Sequence, residues 1–521
     1  MKHKLIHRVS QLLENVWIHV LMLSLLTLGA CTNDSILTTP DPVIPATTDT
    51  AYLALAIDFK SYLITKGYEG ESSAGESEED YVKKVRLVLY DGELATSKVV
   101  KAFSFNIETD NSSSGQAWKD NSEDKRDLAN TVDQKDKWHF ITYARKVPLM
   151  DYKMLVIVNP NDYLEQHTRE GDTYNQVSAA HKLEEGEGKS VNVSGLAKAN
   201  YFLMTSGPGL IDVPADELSA TVRAAHNSPF RATVGRVVGK VTLAPPVGET
   251  TIPTATSGAE VSNVRWELDI TNRYTFWIKR FSSTDRENEY GEDPNYTGFK
   301  KTNNFVLEDN FIYVINSGGL MPVLNNALNG SEYCLENTMD LTDQTEKNVI
   351  TRALISCTYK PANVETAGEG FYVYDNSTFS FREMNEFAKK AENTPAGSRP
   401  ALSEAILRAK SSGYTFIGGR PYHNDELCNE SFSGVAGITY YHNGINYYAV
   451  KILHLGDSDD AALVHGHYGV LRNTHYTIHI NKIEGPGSPY IFPHLTMVRS
   501  GFPEEDMPDL YKNIETGINI R

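Results

Sequence analysis

Apolar and polar residues alternate along much of this chain with the two-residue period of a β-strand. In residues 50–59 (TAYLALAIDF), Leu53, Leu55, Ile57 and Phe59 fall on one face and Tyr52, Ala54, Ala56 and Asp58 on the other, which predicts a half-buried strand. Val85, Leu87 and Leu89 alternate with Lys84 and Arg86, and Val264, Trp266, Leu268 and Ile270 with Arg265, Glu267 and Asp269. Residues 153–158 and 201–205 are short apolar runs suited to covered strands. Asn443-Gly444 separates two apolar-aromatic runs and supplies two positive φ angles, predicting a two-residue hairpin. A helical period is confined to residues 343–356, 378–391 and 402–410. Short strands with Gly, Asn and Pro at the turns predict an all-β chain of β-sandwiches with a few short helical insertions, since a parallel α/β sheet needs regularly alternating helices. Asn227 to Phe230 marks a domain boundary, giving residues 51–228, residues 229–489 and a tail at 490–521.

The first fifty residues do not follow this pattern. Lys2, Lys4 and Arg8 precede an apolar run over residues 17–28, which as a helix would reach roughly 18 Å, short of the roughly 30 Å hydrocarbon core. Residues 1–30 therefore read as a signal peptide. The ending Leu28-Gly29-Ala30-Cys31 resembles the lipobox of bacterial lipoproteins, which implies a diacylglyceryl group on Cys31; the alternative is an ordinary export signal with a coincidental cysteine. The Pro- and Thr-rich residues 31–50 form a tether. Residues 67–80 combine Gly, Ser, Ala and acid, as a solvated loop does, and their place after a lone strand makes an exposed processing site a second reading.

The chain holds 49 Lys and Arg against 67 Asp and Glu, a net charge of −18, and the basic leader contributes none of the acid excess. Nucleic acid and anionic lipid, which favour a positive face, are thereby excluded as partners. Cys334, Cys357 and Cys428 form no disulfide framework, and at most one bridge. Gly186-Glu187-Gly188-Lys189-Ser190 imitates the end of a phosphate loop, but Leu183 stands where its first glycine belongs. His465, His467, His475 and His479 have spacings that could place imidazoles on one strand face around a metal; the alternative is the wet face of a terminal hairpin. No catalytic signature, cofactor or metal site is expected.

Residues 467–489 (HYGVLRNTHYTIHINKIEGPGSP) resemble the end of the C-terminal domain of the fimbrillin family of Bacteroidales, most closely the major subunit of the short, Mfa-type fimbria. The resemblance rests on Tyr468-Gly469-Val470-Leu471-Arg472-Asn473 and Gly485-Pro486-Gly487, with further similarity at residues 201–208 and 234–243. It implies two transthyretin-like β-sandwich domains, export as a lipoprotein, removal of the N-terminal strand at the cell surface and polymerisation by donor-strand exchange. It also implies adhesion, with partners in other copies of the chain, anchor and tip accessory subunits, host or bacterial receptors, and the outer membrane through the precursor's lipid. The displaced strand would be Leu53, Leu55, Ile57 and Phe59. In the tail, Leu510, Ile514, Thr516, Ile518 and Ile520 share a face and form the candidate donor. Completion of its own domain is the alternative for that tail, and Pro493 interrupts the other donor segment, residues 490–498. Family shaft subunits are commonly cut after arginine, but between Cys31 and Arg86 only Lys60 and Lys66 are basic residues in reach of a protease. An uncut subunit would suit an anchor, so anchor or tip subunit stands beside shaft subunit, with a glycan-binding surface lipoprotein from another class.

Overall fold

The computed structural model describes residues 50–59, 78–79, 81–107, 118–119, 139–184, 192–281, 290–296, 307–314, 321–344, 348–455, 464–491 and 509–520. Cys31, Lys60, Lys66, residues 186–190 and most of residues 490–498 lie outside them. The chain is a mostly-β, β-sandwich protein with a few short helices, as its alternation predicts.

The first half is built on β1 (Thr50–Leu53), β2 (Leu55–Phe59), β3 (Lys84–Tyr90), β4 (Val99–Ile107), β5 (His139–Ile141), β6 (Arg145–Pro148), β7 (Tyr152–Val158), β8 (Met204–Ser206) and β9 (Phe230–Arg236). One long sheet runs in the order β4-β3-β7-β8-β9-β2-β5. The first predicted strand is interrupted at Ala54, so that β1 pairs with β6 while β2 enters the long sheet parallel to β9 and antiparallel to β5. Leu53, Ala54, Leu55, Ala56 and Ile57 are all buried, which corrects the half-buried reading. The second face carries Ala54 and Ala56, and side chains this small let the rest of the core close over it.

The chain changes sheets at Val237. Beyond it lie β10 (Val238–Ala244), β11 (Glu260–Asp269), β12 (Ser331–Leu335), β13 (Arg352–Lys360), β14 (Phe371–Tyr374), α1 (Phe381–Asn393), α2 (Ala401–Ser411), β15 (Arg420–His423), β16 (Ile438–Tyr441), β17 (Ile445–Lys451), β18 (His475–Ile483) and β19 (Ile514–Ile520). A sheet ordered β12-β10-β18-β19 packs on one that contains β11-β13-β17. Val241, Leu243, Ile478 and Ile480 of the first meet Trp266, Leu268, Ile355 and Tyr448 of the second in one core. Between β13 and β17, which are neighbours paired at Thr358 and Ile445, residues 361–444 form an insertion with a core of its own, including Tyr372, Met384, Leu402, Ile406 and Tyr440.

Two of the three predicted helices form, as α1 and α2. The third, over residues 343–356, is overturned: its second half is β13. Val349, Ile350, Ala353, Leu354 and Cys357 follow a helix-like spacing, and a strand buried on both faces lacks the alternation that would reveal it. The Asn443-Gly444 turn has the expected positive φ angles, 54° and 67°. It closes no hairpin, because β16 pairs with β14 and β17 with β13. Ile438 and Tyr440 join the insertion core and Tyr448 and Val450 the sandwich core, so burial sends the two flanking strands to different sheets.

Candidate functional site

The leading strand is held by its neighbours on both sides. Leu55 N–H donates to Thr142 Oγ1 at 2.9 Å, Thr142 N–H donates to Leu55 O at 2.8 Å, and Phe230 N–H donates to Ala54 O at 2.9 Å. Leu53, Leu55 and Ile57 belong to the same core cluster as β3 and β7. Removing residues 50–59 would therefore leave a slot between β9 and β5, lined by core side chains and unpaired backbone groups. Phe59 ends β2 opposite Val234. The acidic loop after it is not solvated to its end, because Glu79 is buried. Its Oε1 accepts from Lys240 Nζ and from Tyr333 OH, both at 2.6 Å, tying the loop's end to β10 and β12. Arg86, inside β3, donates to Thr168 and Ser104.

The C-terminal strand forms the edge of its own sheet. β19 pairs antiparallel with β18, with Ile518 opposite Ile478 and Ile520 opposite Tyr476. Ile514, Ile518 and Ile520 pack on the sandwich core and remain partly exposed, as does Thr516. Leu510 is buried but lies ahead of the strand, in a separate cluster with Leu354, Tyr447 and Ala449. Its carbonyl accepts from Ala449 N–H at 2.8 Å, and Arg352 Nη1 donates to Tyr511 OH at 3.0 Å. Arg352 also donates through Nε and Nη2 to Asp269 Oδ2, at 2.8 and 2.6 Å, wholly within the core. Burial by itself disfavours the guanidinium charge, but Tyr511 and Asp269 hold Arg352 above its ordinary value. Neither this pair nor Glu79 was recoverable from the sequence, because a buried ion pair joins residues far apart in the chain and follows no local period. A cleft of roughly 520 Å³ separates β17 from β19, with Val450, Leu453, Tyr468, Ile514 and Ile518 among its walls.

The segment that carries the family resemblance is a buried joint. Gly469 has φ of 145°, and a Cβ there would lie 2.8 Å from Asn337 O. Arg472 Nε donates to Glu336 Oε2 at 2.7 Å, and Asn473 Oδ1 accepts from Arg236 N–H at 3.0 Å, which fastens the start of β18 to the end of β9. At Gly485-Pro486-Gly487, a Cβ on Gly487 would meet Tyr447 O at 2.5 Å, and Asn513 Nδ2 donates to Pro486 O at 2.6 Å just ahead of β19.

The four histidines do not converge. His475 Nε2 contacts Thr242 Oγ1 at 2.8 Å, His479 Nδ1 contacts Pro245 O at 2.7 Å and His465 Nε2 contacts Tyr296 OH at 3.0 Å. His467 is buried, so the wet-face alternative does not describe it. Cys334, Cys357 and Cys428 are free thiols. Burial pushes all three up, Cys357 to about 12, which makes them poor nucleophiles.

Residues 439–520 match the family model of the major fimbrial subunit protein type IV, fimbrillin, C-terminal. That span begins within β16 and ends on Ile520, so it contains both glycine-bearing joints and the tail strand. Solved structures similar to this chain include a putative cell adhesion protein from Parabacteroides distasonis, at 14% identity and a TM-score of 0.42, covering 91% of this chain and 98% of that one. A fimbrilin (FimA) from Porphyromonas gingivalis aligns at 12% identity and 0.39, over 90% and 97% of the two chains. The tip fimbrial protein Mfa3 of the same species aligns at 10% and 0.33, over 90% and 99%. No curated protein matches the chain. The family likeness of this chain therefore lies in residues 439–520, which resemble the C-terminal part of fimbrillin, a major fimbrial subunit protein.

Proposed function

We propose that the protein is the shaft subunit of a cell-surface fimbria, exported as an outer-membrane lipoprotein on Cys31. It polymerises by donor-strand exchange once proteolysis at Lys60 or Lys66 releases the leading strand. Copies of the chain are its main partners, anchor and tip subunits cap the polymer, and adhesion to host or bacterial receptors is its role. Two domains that hand over at Val237 belong to the same proposal.

The observation that carries it is a match between the two end strands. Residues 53–59 read LALAIDF and residues 514–520 read IETGINI. Laid on one another in either direction, the tail puts Gly517 on the seat of Ala56, and Ile514, Thr516, Ile518 and Ile520 on the seats of Leu53, Leu55, Ile57 and Phe59. The leading strand is buried on both faces through Ile57, so its replacement must be small where Ala56 sits, and the antiparallel register, which sets Asn519 rather than Glu515 on the buried Ala54 seat, keeps a carboxylate out of the core. In the monomer the tail's apolar face is only partly buried, and the remainder is available to a deeper slot. Each aliphatic side chain moved from exposure to full burial contributes about 1.5–3 kcal/mol before ordering costs.

Gly517→Ile tests this reading. Among the described residues an added Cβ at Gly517 has one neighbour within 4 Å, Asn481 Nδ2 at 3.5 Å, and the strand is a half-exposed sheet edge with room for a larger side chain. On the Ala56 seat the larger side chain overpacks, at a cost of about 1–3 kcal/mol. We expect wild type to form ladders after limited proteolysis and Gly517→Ile to remain monomeric with an unchanged melting temperature. Equal ladders from both, or from a chain truncated before Asp509, would refute the exchange. Anchor subunit is the second reading, favoured by the lack of arginine between Cys31 and Arg86. N-terminal sequencing of the cell-surface protein separates the two, since a start after Lys60 or Lys66 marks a shaft subunit and a blocked, lipidated start an anchor.

A further inference from the structure

The insertion contains a polar pocket that the assembly reading leaves unused. Phe381, half-buried at the start of α1, lines it, and Tyr440 of β16 lies buried beside it. The backbone of the loop ending in Gly370 packs on these two rings so closely that a Cβ there would lie 2.8 Å from the Tyr440 ring and 3.0 Å from Phe381. Arg420, at the head of β15, stands over the Phe381 ring at 5.6 Å. Among the described residues its guanidinium has no ion pair or hydrogen bond, and neither has the carboxylate of Glu369, which lines the same pocket. Leu427, 40% exposed, gives the mouth an apolar lip. The volume is roughly 540 Å³, within the range of about 300–1,000 Å³ typical of small-molecule sites.

From this arrangement we infer that the insertion binds a neutral saccharide of one or two rings. A sugar ring has an apolar C–H face, which suits the exposed Leu427 and the half-buried Phe381, and a rim of hydroxyls that both donate and accept. Glu369 accepts from such hydroxyls and Arg420 donates to them, and two unpaired charges of opposite sign in one pocket are satisfied together by vicinal hydroxyl groups. An acidic ligand fits less well. Glu365 pairs with Arg382 at 3.5 Å, leaving Arg420 and Glu369 in balance, and burial lowers His442 so that it adds no charge at neutral pH. The site gives the adhesive role a ligand class and is independent of strand exchange, because every wall belongs to residues 365–443 of the uncut monomer.

The test uses the full, uncut chain. It is applied to a glycan array carrying neutral and acidic oligosaccharides, and the strongest neutral glycan is then titrated calorimetrically. Arg420→Ala and Glu369→Gln, both surface changes, are expected to weaken binding on the order of tenfold or more each, as loss of a charge-assisted hydrogen bond does. Lys410→Ala, on the exposed side of α2, should bind as wild type does. A chain that binds no array glycan, binds only acidic glycans, or binds equally well after both pocket changes overturns the inference. Since no polymer is required, failure here leaves the strand-exchange result untouched, and the reverse holds too.

Discussion

Asp293 accepts hydrogen bonds from the N–H groups of Asn295 and Thr338 in a fully enclosed site. Burial pushes its carboxyl up to about 7 against the pull of those two donors, with Glu336 adding to the rise. The fold therefore keeps a proton that the unfolded chain has released, and the resulting stability is present below the ordinary value of 3.8 and lost as pH climbs toward about 7. His454 behaves in the opposite sense. Burial first, and Lys279 second, take it from 6.5 down to about 3, so its contribution is present above 6.5 and lost as pH falls toward 3. Urea unfolding across this range should show Asp293→Asn flattening the decline between about pH 4 and 7, and His454→Gln flattening the decline below about pH 6. Either slope changes by at most about 1.4 kcal/mol per pH unit. A profile unmoved by Asp293→Asn would mean that the folded protein ionises this carboxyl normally.

Among the elements, α1 depends most visibly on a local signal. Ser380 Oγ accepts from Glu383 N–H at 3.4 Å while Glu383 Oε2 accepts from Ser380 N–H at 2.8 Å, a reciprocal cap at the helix entrance. Ser380→Ala should cost about 1 kcal/mol, seen as faster hydrogen exchange in residues 381–393 with the sandwich core unchanged. Unaltered exchange there would show that packing on α2 alone fixes the helix. This helix was legible in the sequence through its apolar period rather than its cap, and its first turn lies three residues later than that period places it. β13 was not legible, because Arg352 to Ile355 are buried on both faces and the residues that decide this, Asp269 among them, lie far away in the chain. The Asn443-Gly444 turn was half legible: its φ angles follow from residue type, whereas its strand partners follow from which core each flank enters.

At the scale of the whole molecule, the insertion is rooted in the sandwich by a stacked pair, Phe371 and Tyr441, with ring centroids 4.5 Å apart. β14 and β16 remain paired at Val373 and Thr439, so residues 375–437 can be replaced by a two-residue Asn-Gly turn without moving that root. The shortened chain should fold, unfold in a single thermal transition and polymerise as wild type does, while losing saccharide binding. Failure to fold would show that the sandwich needs the helices, contrary to the separate core seen here.

The sequence by itself determined the β class, two of the helices, the positive-φ turns and the shared alternation of the two end strands. These are properties of residue type and near-neighbour spacing, which the chain carries wherever it folds. Only the tertiary structure decided that the leading strand is covered on both faces, that the tail completes the edge of its own sheet, and that Glu79, Asp269 and Arg352 are buried and paired. Those outcomes depend on which distant segments close over a strand or a charge, and burial is set by the assembled core rather than by any local stretch of sequence.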